Sequence, residues 1–216
     1  IISNLFPILV DIFSDIVVYN SNATMESLVK KRKKLLRKSF VVLNGLDREN
    51  IKTSTSEISV IRKNILKAKE DKIILALIGR INRMKGHNLL LDAFKDLKDE
   101  HNDLNLVFIG SAAPNQEYFI NNLQDRIKQN NLENDCRIIE FQNNIWNIWD
   151  SIDIAIVPST EPESFGLVAL EAMLAKKPVV ASNHGGVKEI VIHNNTGLLF
   201  EPNNKNDLIF KIKKLI

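Results

Sequence analysis

Apolar residues recur from residue 72 onward in short runs, and amphipathic segments lie between them. The apolar runs are residues 73–78, 104–109, 137–141, 152–157, 178–181 and 197–200. The amphipathic segments are residues 88–98, 115–130, 144–149, 167–174, 187–191 and 206 onward. Strands that are apolar throughout and separated by helices are typical of a parallel sheet covered on both faces. The pattern predicts an α/β fold, a doubly wound Rossmann-like domain with its ligand cleft at the carboxyl ends of the strands.

The chain before residue 72 has a weaker pattern. Two short apolar runs, 16–19 and 40–43, predict strands on either side of a helix at 23–37. Residues 47–70 are polar, and we expect the Ser/Thr-rich stretch 52–57 to be the least structured part. We therefore predict three parts, which are a remnant of an N-terminal domain (1–46), a linker (47–70) and the Rossmann-like domain (71–216). Because the chain begins with Ile1 and ends inside a helical pattern, we expect it to be a fragment of a longer protein.

Composition and charge exclude several classes of protein. The chain is 44% hydrophobic and 25% charged, as ordinary globular domains are. Residues 1–70 hold 13 Lys and Arg against 7 Asp and Glu, whereas 71–216 hold 16 against 19. This split favours two structural units over a uniformly basic nucleic-acid binder. The single Cys136 excludes a disulfide framework, and Asp11 and Asp15 interrupt the apolar N-terminus, so neither a membrane span nor a signal peptide is predicted.

A basic run extends from Lys30 to Lys38 within the first predicted helix. One interpretation is attraction to anionic lipid, or to phosphate on an acceptor, with the protein held at the inner face of the membrane. The other is a solvated helix in a lysine-rich protein, which needs no partner. We expect a cytoplasmic protein in either case.

Two carboxylates, Glu163 and Glu171, stand eight residues apart around a predicted helix start. The loop that carries Glu163 follows the apolar run at 152–157, so it lies where open α/β sheets bind ligands. The free amides at the start of the helix would favour an anionic or oxygen-rich ligand. They belong to Phe165, Gly166 and Leu167. The alternative is a capping box, in which Glu163 only closes the helix start together with Thr160.

A second polar loop follows the apolar run at 73–78, where Gly79 and Gly86 bracket Arg80 and Lys85. Gly79 allows a sharp turn, Arg80 can fork onto two phosphate oxygens and Lys85 can act as a point charge. These residue types suit a diphosphate, although a solvated surface loop would look similar. The chain has neither a Walker loop nor a G-x-G-x-x-G motif, which counts against ATPases and NAD enzymes.

Three further loops carry weaker signals. Ser111 lies in a small-residue loop, and the stretch from Phe141 to Asn143 offers an apolar face with amides, which is a plausible edge for a base. Each of these could equally be a plain turn. His184 precedes two glycines and could be a general base, but a lone loop histidine is more often a surface residue. No D-x-D motif occurs, so we predict no metal site, and the cations with the helix amides must neutralise a pyrophosphate leaving group.

Five elements occur in an order that defines a resemblance. They are Asn44-Gly45-Leu46-Asp47, Gly79-Arg80 with Lys85-Gly86, Phe108-Ile109-Gly110, Pro158-Ser159 leading into Glu163-x7-Glu171, and Gly185-Gly186-x-x-Glu189. Over about residues 40–210 the chain resembles the nucleotide-binding half of retaining glycosyltransferases of family 4, which have the two-Rossmann-domain GT-B architecture. The chain departs from the family at Lys188, where proline is more usual, and it lacks most of the acceptor-side N-terminal domain.

The resemblance implies a role for each candidate residue. Arg80 and Lys85 would hold the donor diphosphate, and Glu171 would bind the ribose. Glu163 would contact hydroxyls of the transferred sugar. The remaining implied donor-binding residues are Gly79, Ser111, Phe141, Ser164, Phe165, Gly166 and Leu167.

The resemblance also implies an activity. It is transfer of a sugar from a nucleotide-diphosphate donor to a glycan or lipid-linked acceptor, with retention and with no metal or cofactor. Whether Glu163 is a nucleophile or positions the sugar stays open, and we favour positioning. Two alternatives remain, a nucleotide-sugar isomerase on the same architecture and a non-catalytic nucleotide-sugar-binding fragment.

Overall fold

The computed structural model describes residues 2–48, 53–68 and 71–216. The N-terminal segment consists of α1 (Ile2–Phe13), β1 (Val17–Tyr19), α2 (Asn22–Val29), a 3₁₀ helix (Lys33–Lys38) and β2 (Ser39–Val41), and α3 (Thr55–Asn64) follows it. The remaining strands are β3 (Ile73–Ile78), β4 (Leu104–Ile109), β5 (Cys136–Ile139), β6 (Ile154–Val157), β7 (Val179–Ser182) and β8 (Leu198–Phe200). The remaining helices are α4 (His87–Glu100), α5 (Tyr118–Gln129), α6 (Ile145–Ser151), α7 (Leu167–Leu174), α8 (Val187–Ile190) and α9 (Lys205–Lys213).

The predicted doubly wound α/β fold is confirmed. Among the described residues, six strands form a parallel sheet in the order β5-β4-β3-β6-β7-β8. The strand order reverses between β3 and β6, and such a switch point opens a crevice at the carboxyl ends of the strands. The cleft described below lies at this edge.

Both faces of the sheet are covered, which explains why its strands are predominantly apolar. Leu75 and Leu77 of β3 point into a cluster with α4, α5 and α9. Ile74 and Ala76 point to the opposite face, into a cluster with α3, α6 and α7. Because successive strand residues alternate between faces, a strand buried on both sides has few polar positions.

The N-terminal segment differs from the prediction. β1 and β2 form a separate two-stranded parallel sheet. The single helix predicted at 23–37 was wrong, because α2 ends at Val29 and a 3₁₀ helix follows. Cations four residues apart, such as Lys30 and Lys34, repel one another in an α-helix, while the 3₁₀ helix buries Leu35 completely. Asp11 of α1 pairs with Arg32 at 2.6 Å, which fixes the chain between the two helices.

Part of the predicted linker is helical, so the expectation of an unstructured stretch there was wrong. Ser54 caps α3, since its hydroxyl accepts from the Glu57 amide at 3.3 Å and the Glu57 carboxylate accepts from the Ser54 amide at 2.8 Å. This is a capping box. Ile61 of α3 is buried against the sheet. Residues 49–52 and 69–70 of the predicted linker lie outside the described residues.

Candidate functional site

A cleft of about 750 Å³ opens at the carboxyl ends of β3, β4 and β5. Its walls come from the loops after these strands and from one face of α7. Five of the residues predicted from the sequence line it, which are Gly79, Arg80, Ser111, Phe141 and Glu171. The other lining residues include Pro114, Gln142, Asn143, Ile145 and Val168. The sequence prediction missed Ile145 and Val168, which look like ordinary helix residues in the sequence.

The floor of the cleft is backbone, and glycines make that possible. Gly79 and Gly110 both adopt positive φ angles, 149° and 148°. A methyl group on Gly110 would overlap the Gly79 carbonyl oxygen, so the two loops touch backbone to backbone. The Gly79 amide donates to the Ile109 carbonyl at 2.9 Å, and the Ile81 amide donates to the Ser111 carbonyl at 3.0 Å. A flat or anionic ligand can therefore come close to main-chain atoms.

The two predicted cations differ in their surroundings. The Arg80 side chain is exposed and makes no ion pair or hydrogen bond with the described residues. Lys85 instead forms an ion pair with Glu163, with Nζ 2.6 Å from Oε1. Its aliphatic stem passes beside Gly79, because a methyl group there would lie 3.8 Å from Lys85 Cε. The pair therefore borders the cleft floor.

Glu163 is held by one of its two carboxylate oxygens. Oε1 accepts from Lys85 and also from the Ser159 hydroxyl, at 2.5 Å. Within the part of the chain that the structure describes, Oε2 accepts no hydrogen bond. Thr160 donates to the Arg83 carbonyl at 3.1 Å instead of meeting Glu163, and the N-cap of α7 is Gly166. The capping-box alternative is therefore not what the structure forms.

Ser159 is a site residue that sequence reasoning missed. Its side chain is almost fully buried, and its carbonyl oxygen lies 2.8 Å from His184 Nε2. His184 is thus held by the backbone beside Glu163. A serine after a strand carries no sequence signal of where its hydroxyl points.

Glu171 lies on α7 and lines the cleft. Its Oε2 accepts from Trp149 Nε1 at 3.1 Å. Burial raises the pKa of Glu171, and the bond from Trp149 opposes that rise without cancelling it. Trp149 packs in the core, and its bond to Oε2 also fixes the direction of this carboxylate.

Replacing Glu171 with glutamine is expected to raise stability at neutral pH. Because the folded-state pKa is raised, the stability that this carboxyl contributes is present below its ordinary pKa and is lost as the pH rises through the raised value. Glutamine carries no charge, and its carbonyl oxygen can still accept from Trp149. We expect a higher thermal midpoint than wild type at about pH 7, with a difference that shrinks toward about pH 4. Scanning calorimetry measures both, and an equal or lower midpoint at neutral pH would contradict the argument.

The residues at the start of α7 are arranged differently from the lining residues. The Phe165 side chain is buried, and Gly166 has a φ of 105° and packs against Val187. Ser164 and Leu167 are exposed beside the cleft without lining it.

His87, the first residue of α4, is buried directly after the loop of Lys85 and Gly86. Its ring centroid lies 5.4 Å from that of Phe108, and neither ring nitrogen has a hydrogen-bond partner among the described residues. Burial lowers its pKa to about 4, so the ring is neutral at neutral pH.

This histidine should make the fold less stable in mild acid. Because the pKa of His87 is lowered in the folded state, its ring takes up a proton in the unfolded chain at a pH at which the folded chain keeps it neutral. The free energy of unfolding therefore falls as the pH drops from 6.5 toward about 4. We expect His87→Leu to flatten this part of the pH dependence. Denaturant unfolding of wild type and His87→Leu at about pH 7 and about pH 5 tests this expectation. An equal loss of unfolding free energy between the two pH values in both proteins would count against it.

In the described ranges, no cluster of three or more His, Cys, Asp or Glu side chains is arranged to hold a metal ion. In the same ranges, no helix is both long enough and apolar enough to cross a membrane.

The sheet order and the cleft are those of the Rossmann-like C-terminal domain of GT-B glycosyltransferases. The chain belongs to the family described as Glycosyl transferases group 1, whose sequence profile matches residues 59–216.

Relatives and solved structures agree with this assignment. The chain is 33% identical over 183 residues to the lipopolysaccharide 1,2-N-acetylglucosaminetransferase of Salmonella typhimurium, covering 82% of this chain and 47% of that protein. It is 29% identical over 204 residues to a Campylobacter jejuni transferase, the N-acetylgalactosamine-N,N'-diacetylbacillosaminyl-diphospho-undecaprenol 4-alpha-N-acetylgalactosaminyltransferase, covering 94% of this chain and 51% of that protein. The crystal structure of Anabaena HepE with UDP and glucose matches with a TM-score of 0.89 and 28% identity, over 97% of this chain and 55% of that one. This chain thus spans about half the length of the relatives it matches.

Proposed function

We propose that the protein to which this chain belongs is a retaining glycosyltransferase of family 4. It moves a sugar from a nucleotide-diphosphate donor to a glycan or lipid-linked acceptor, without a metal ion or cofactor. One observation carries the proposal, namely that a single cleft brings together Arg80, a carboxylate on α7 and a glycine-built floor, with the Lys85–Glu163 pair at its border. The Salmonella and Campylobacter relatives, which are both named as sugar transferases, support it.

The donor lies along the cleft from base to sugar. The base rests near Phe141 and Ser111, and the ribose hydroxyls bind Glu171, because a carboxylate accepts from two hydroxyls at once. The diphosphate meets Arg80, Lys85 and the amides at the start of α7, which supply positive charge without a cation. The sugar lies against Glu163, whose Oε2 is directed to its hydroxyls. The crystal structures of HepE in complex with UDP and in complex with UDP-glucose support a nucleotide-sugar donor by similarity.

The transfer breaks the bond between the anomeric carbon and the diphosphate oxygen. The acceptor hydroxyl attacks the same carbon from the same face, and its proton goes to the departing phosphate. Arg80 and Lys85 stabilise the negative charge on the leaving group. Glu163 positions the sugar and stabilises the positive charge that develops on it. The configuration at the anomeric carbon is thereby retained, and we place the reaction in the cytoplasm, where nucleotide sugars are available.

The basic run from Lys30 to Lys38 stays a prediction as a membrane contact. Arg32 and Lys38 are already engaged by Asp11. Binding of the chain to vesicles that contain anionic lipid, compared with neutral vesicles, distinguishes a lipid contact from a solvated surface.

Calorimetric titration with UDP, GDP and ADP tests the donor site, first without metal and then with Mg²⁺. We expect one nucleotide to bind equally well in both conditions, and Arg80→Ala to weaken it about tenfold or more, since a charge-assisted hydrogen bond is lost. Arg83→Ala is the matched control, because Arg83 lies on the same loop, pairs with Glu161 and does not line the cleft.

The same titration separates the alternatives. Absence of binding to the folded chain, or equal losses in the two arginine variants, would contradict the donor site. Conversion of a nucleotide sugar without any acceptor would favour an isomerase. Donor binding with no transfer by a full-length protein would favour a non-catalytic binding protein.

A further inference from the structure

The loop that carries Glu163 and Ser164 is held from two sides. On one side, the Gly186 amide donates to the Glu163 carbonyl at 2.7 Å, and a methyl group on Gly186 would overlap the Ser164 backbone. On the other side, the hydroxyls of Ser21 and Thr24 donate to the Ser164 carbonyl at 2.5 and 3.0 Å. These two residues belong to the start of α2, more than a hundred positions earlier in the chain. The loop thus lies between the turn before α8 and the beginning of α2.

Glu189 of α8 connects these two sides. Its Oε2 accepts from the Asn22 amide at 3.0 Å and from Asn22 Nδ2 at 2.8 Å, and its Oε1 accepts from the Ala23 amide at 2.8 Å. The amides at a helix start have no partner within the helix and carry the positive end of its dipole, so a carboxylate stabilises them. Partial burial acts to raise the pKa of Glu189, but the hydrogen bonds from Ala23 and Asn22 outweigh it and hold the pKa below its usual range.

These contacts form a closed ring. It runs from the Ser164 carbonyl through Ser21 and Thr24 to α2, from α2 to Glu189, and from Glu189 along α8 back to the Gly186 amide and the loop. The Glu189 amide itself donates to the Gly186 carbonyl at 3.0 Å, so the carboxylate is fixed to the same turn on which the loop packs. Breaking the ring at Glu189 would release α2, and with it one of the two supports of the loop.

We propose that Glu189 is a positioning residue for the loop from Glu163 to Gly166. It acts through α2 and the Ser164 carbonyl and does not touch the donor. This inference rests on the proposed function, because it assumes that the loop contacts the sugar-phosphate end of the donor. It also makes the loop sensitive to movement of the N-terminal segment, because any displacement of α2 is transmitted to Ser164.

Hydrogen exchange of the whole chain tests the ring without any ligand. We expect the amides of residues 161–167 to exchange about tenfold faster in Glu189→Ala, while β3 and β4 exchange as in wild type. Glu189→Gln should give an intermediate rate, since it keeps one of the two accepting oxygens. Glu26→Ala is the control, because Glu26 is an exposed carboxylate of α2 whose side chain bonds to none of the described residues.

Nucleotide titration tests the positioning role. The probes are UDP, GDP and ADP, each compared with its monophosphate. We expect Glu189→Ala to weaken the diphosphate that wild type binds by about tenfold and to leave the monophosphate nearly unchanged, because only the phosphate end meets the loop. A general loss of stability would weaken binding of the diphosphate and of the monophosphate equally. If wild type binds none of them, the proposed function fails, and the exchange experiment still decides whether the ring exists.

Two results for Glu189→Ala would overturn the proposal. One is an exchange rate at residues 161–167 equal to that of wild type, and the other is faster exchange spread evenly over the sheet. If this variant does not fold, Thr24→Val and Thr24→Ser test the opposite side of the ring. Valine keeps the shape of threonine without its hydroxyl and should speed exchange of the loop, whereas serine keeps the hydroxyl and should not. Equal behaviour of the two would also overturn the proposal.

Discussion

Lys85→Ala is expected to weaken binding of the nucleotide diphosphate by about a hundredfold, roughly 3 kcal/mol. Two effects combine. The variant loses a cation that faces the phosphates, and it leaves the Glu163 carboxylate, whose side chain is only 15% exposed, without its partner beside an incoming anion. Titration of wild type and variant with the nucleotide that binds measures the loss. An affinity within threefold of wild type would refute this role of Lys85.

The second effect can be isolated with a double variant. Glu163→Gln keeps the shape of the side chain and removes its charge. The double variant that carries both Lys85→Ala and Glu163→Gln should therefore bind the nucleotide about tenfold more tightly than Lys85→Ala alone. Glu163→Gln alone should bind the diphosphate at least as well as wild type, because no ion pair between Lys85 and residue 163 has to be weakened when Lys85 contacts the phosphates. Lys98→Ala is the matched control. It breaks a similarly buried pair with Asp135, away from the cleft, and should leave nucleotide affinity unchanged.

Gly86→Ala is expected to destabilise the fold by about 3 kcal/mol, because it combines backbone strain with overpacking. Gly86 has a φ of 78° at the N-cap of α4, and a methyl group there would overlap the Pro158 carbonyl oxygen. The loop of Lys85 and the loop of Glu163 would have to separate. For a domain of this size the thermal midpoint should fall by roughly 10 °C, which calorimetry or circular dichroism measures.

Gly45→Ala provides the comparison for this substitution. Nothing lies within 4 Å of a methyl group at Gly45, so we expect a thermal midpoint equal to that of wild type or slightly higher. A midpoint of Gly86→Ala close to that of Gly45→Ala would show that the loops tolerate the shift, and the strain argument would then be wrong.

The sequence predicted the sheet because its strands leave a simple signal. β3 and β4 are buried on both faces, so their residues are apolar except for Asn105 of β4, and Gly79 and Gly110 mark where the two strands end. The bounds of the edge strands were harder to predict, and β5 ends at Ile139, two residues earlier than predicted. Helix α3 was missed although Ser54 and Glu57 have the spacing of a capping box, because the Ser/Thr-rich composition outweighed that local signal.

Contacts between distant parts of the chain could not be read from the sequence. Lys85 donates to Glu163, 78 positions away, and Glu189 accepts from the start of α2, 166 and 167 positions away. Such pairs follow from how loops from different strands meet at one edge of the sheet, and no periodic pattern encodes them. The residue types of the site were predictable from their chemistry, while the partner of each polar atom required the three-dimensional arrangement. The roles of these residues in binding and transfer stay predictions.

The order of the strands also affects how the chain emerges during synthesis. β3 is central, yet the strand that covers its second edge, β6, begins at Ile154, after β4 and β5 have been made. Until then the nascent chain presents an apolar strand with unpaired amides and carbonyls, which is the kind of edge on which other chains aggregate. The loop of Lys85 follows β3 and the loop of Glu163 follows β6, so the ion pair between them also has to wait until β6 has been made. A ribosome-bound chain that stops before β6 should therefore depend on chaperones, and nucleotide binding should first appear only after residue 171 has left the exit tunnel.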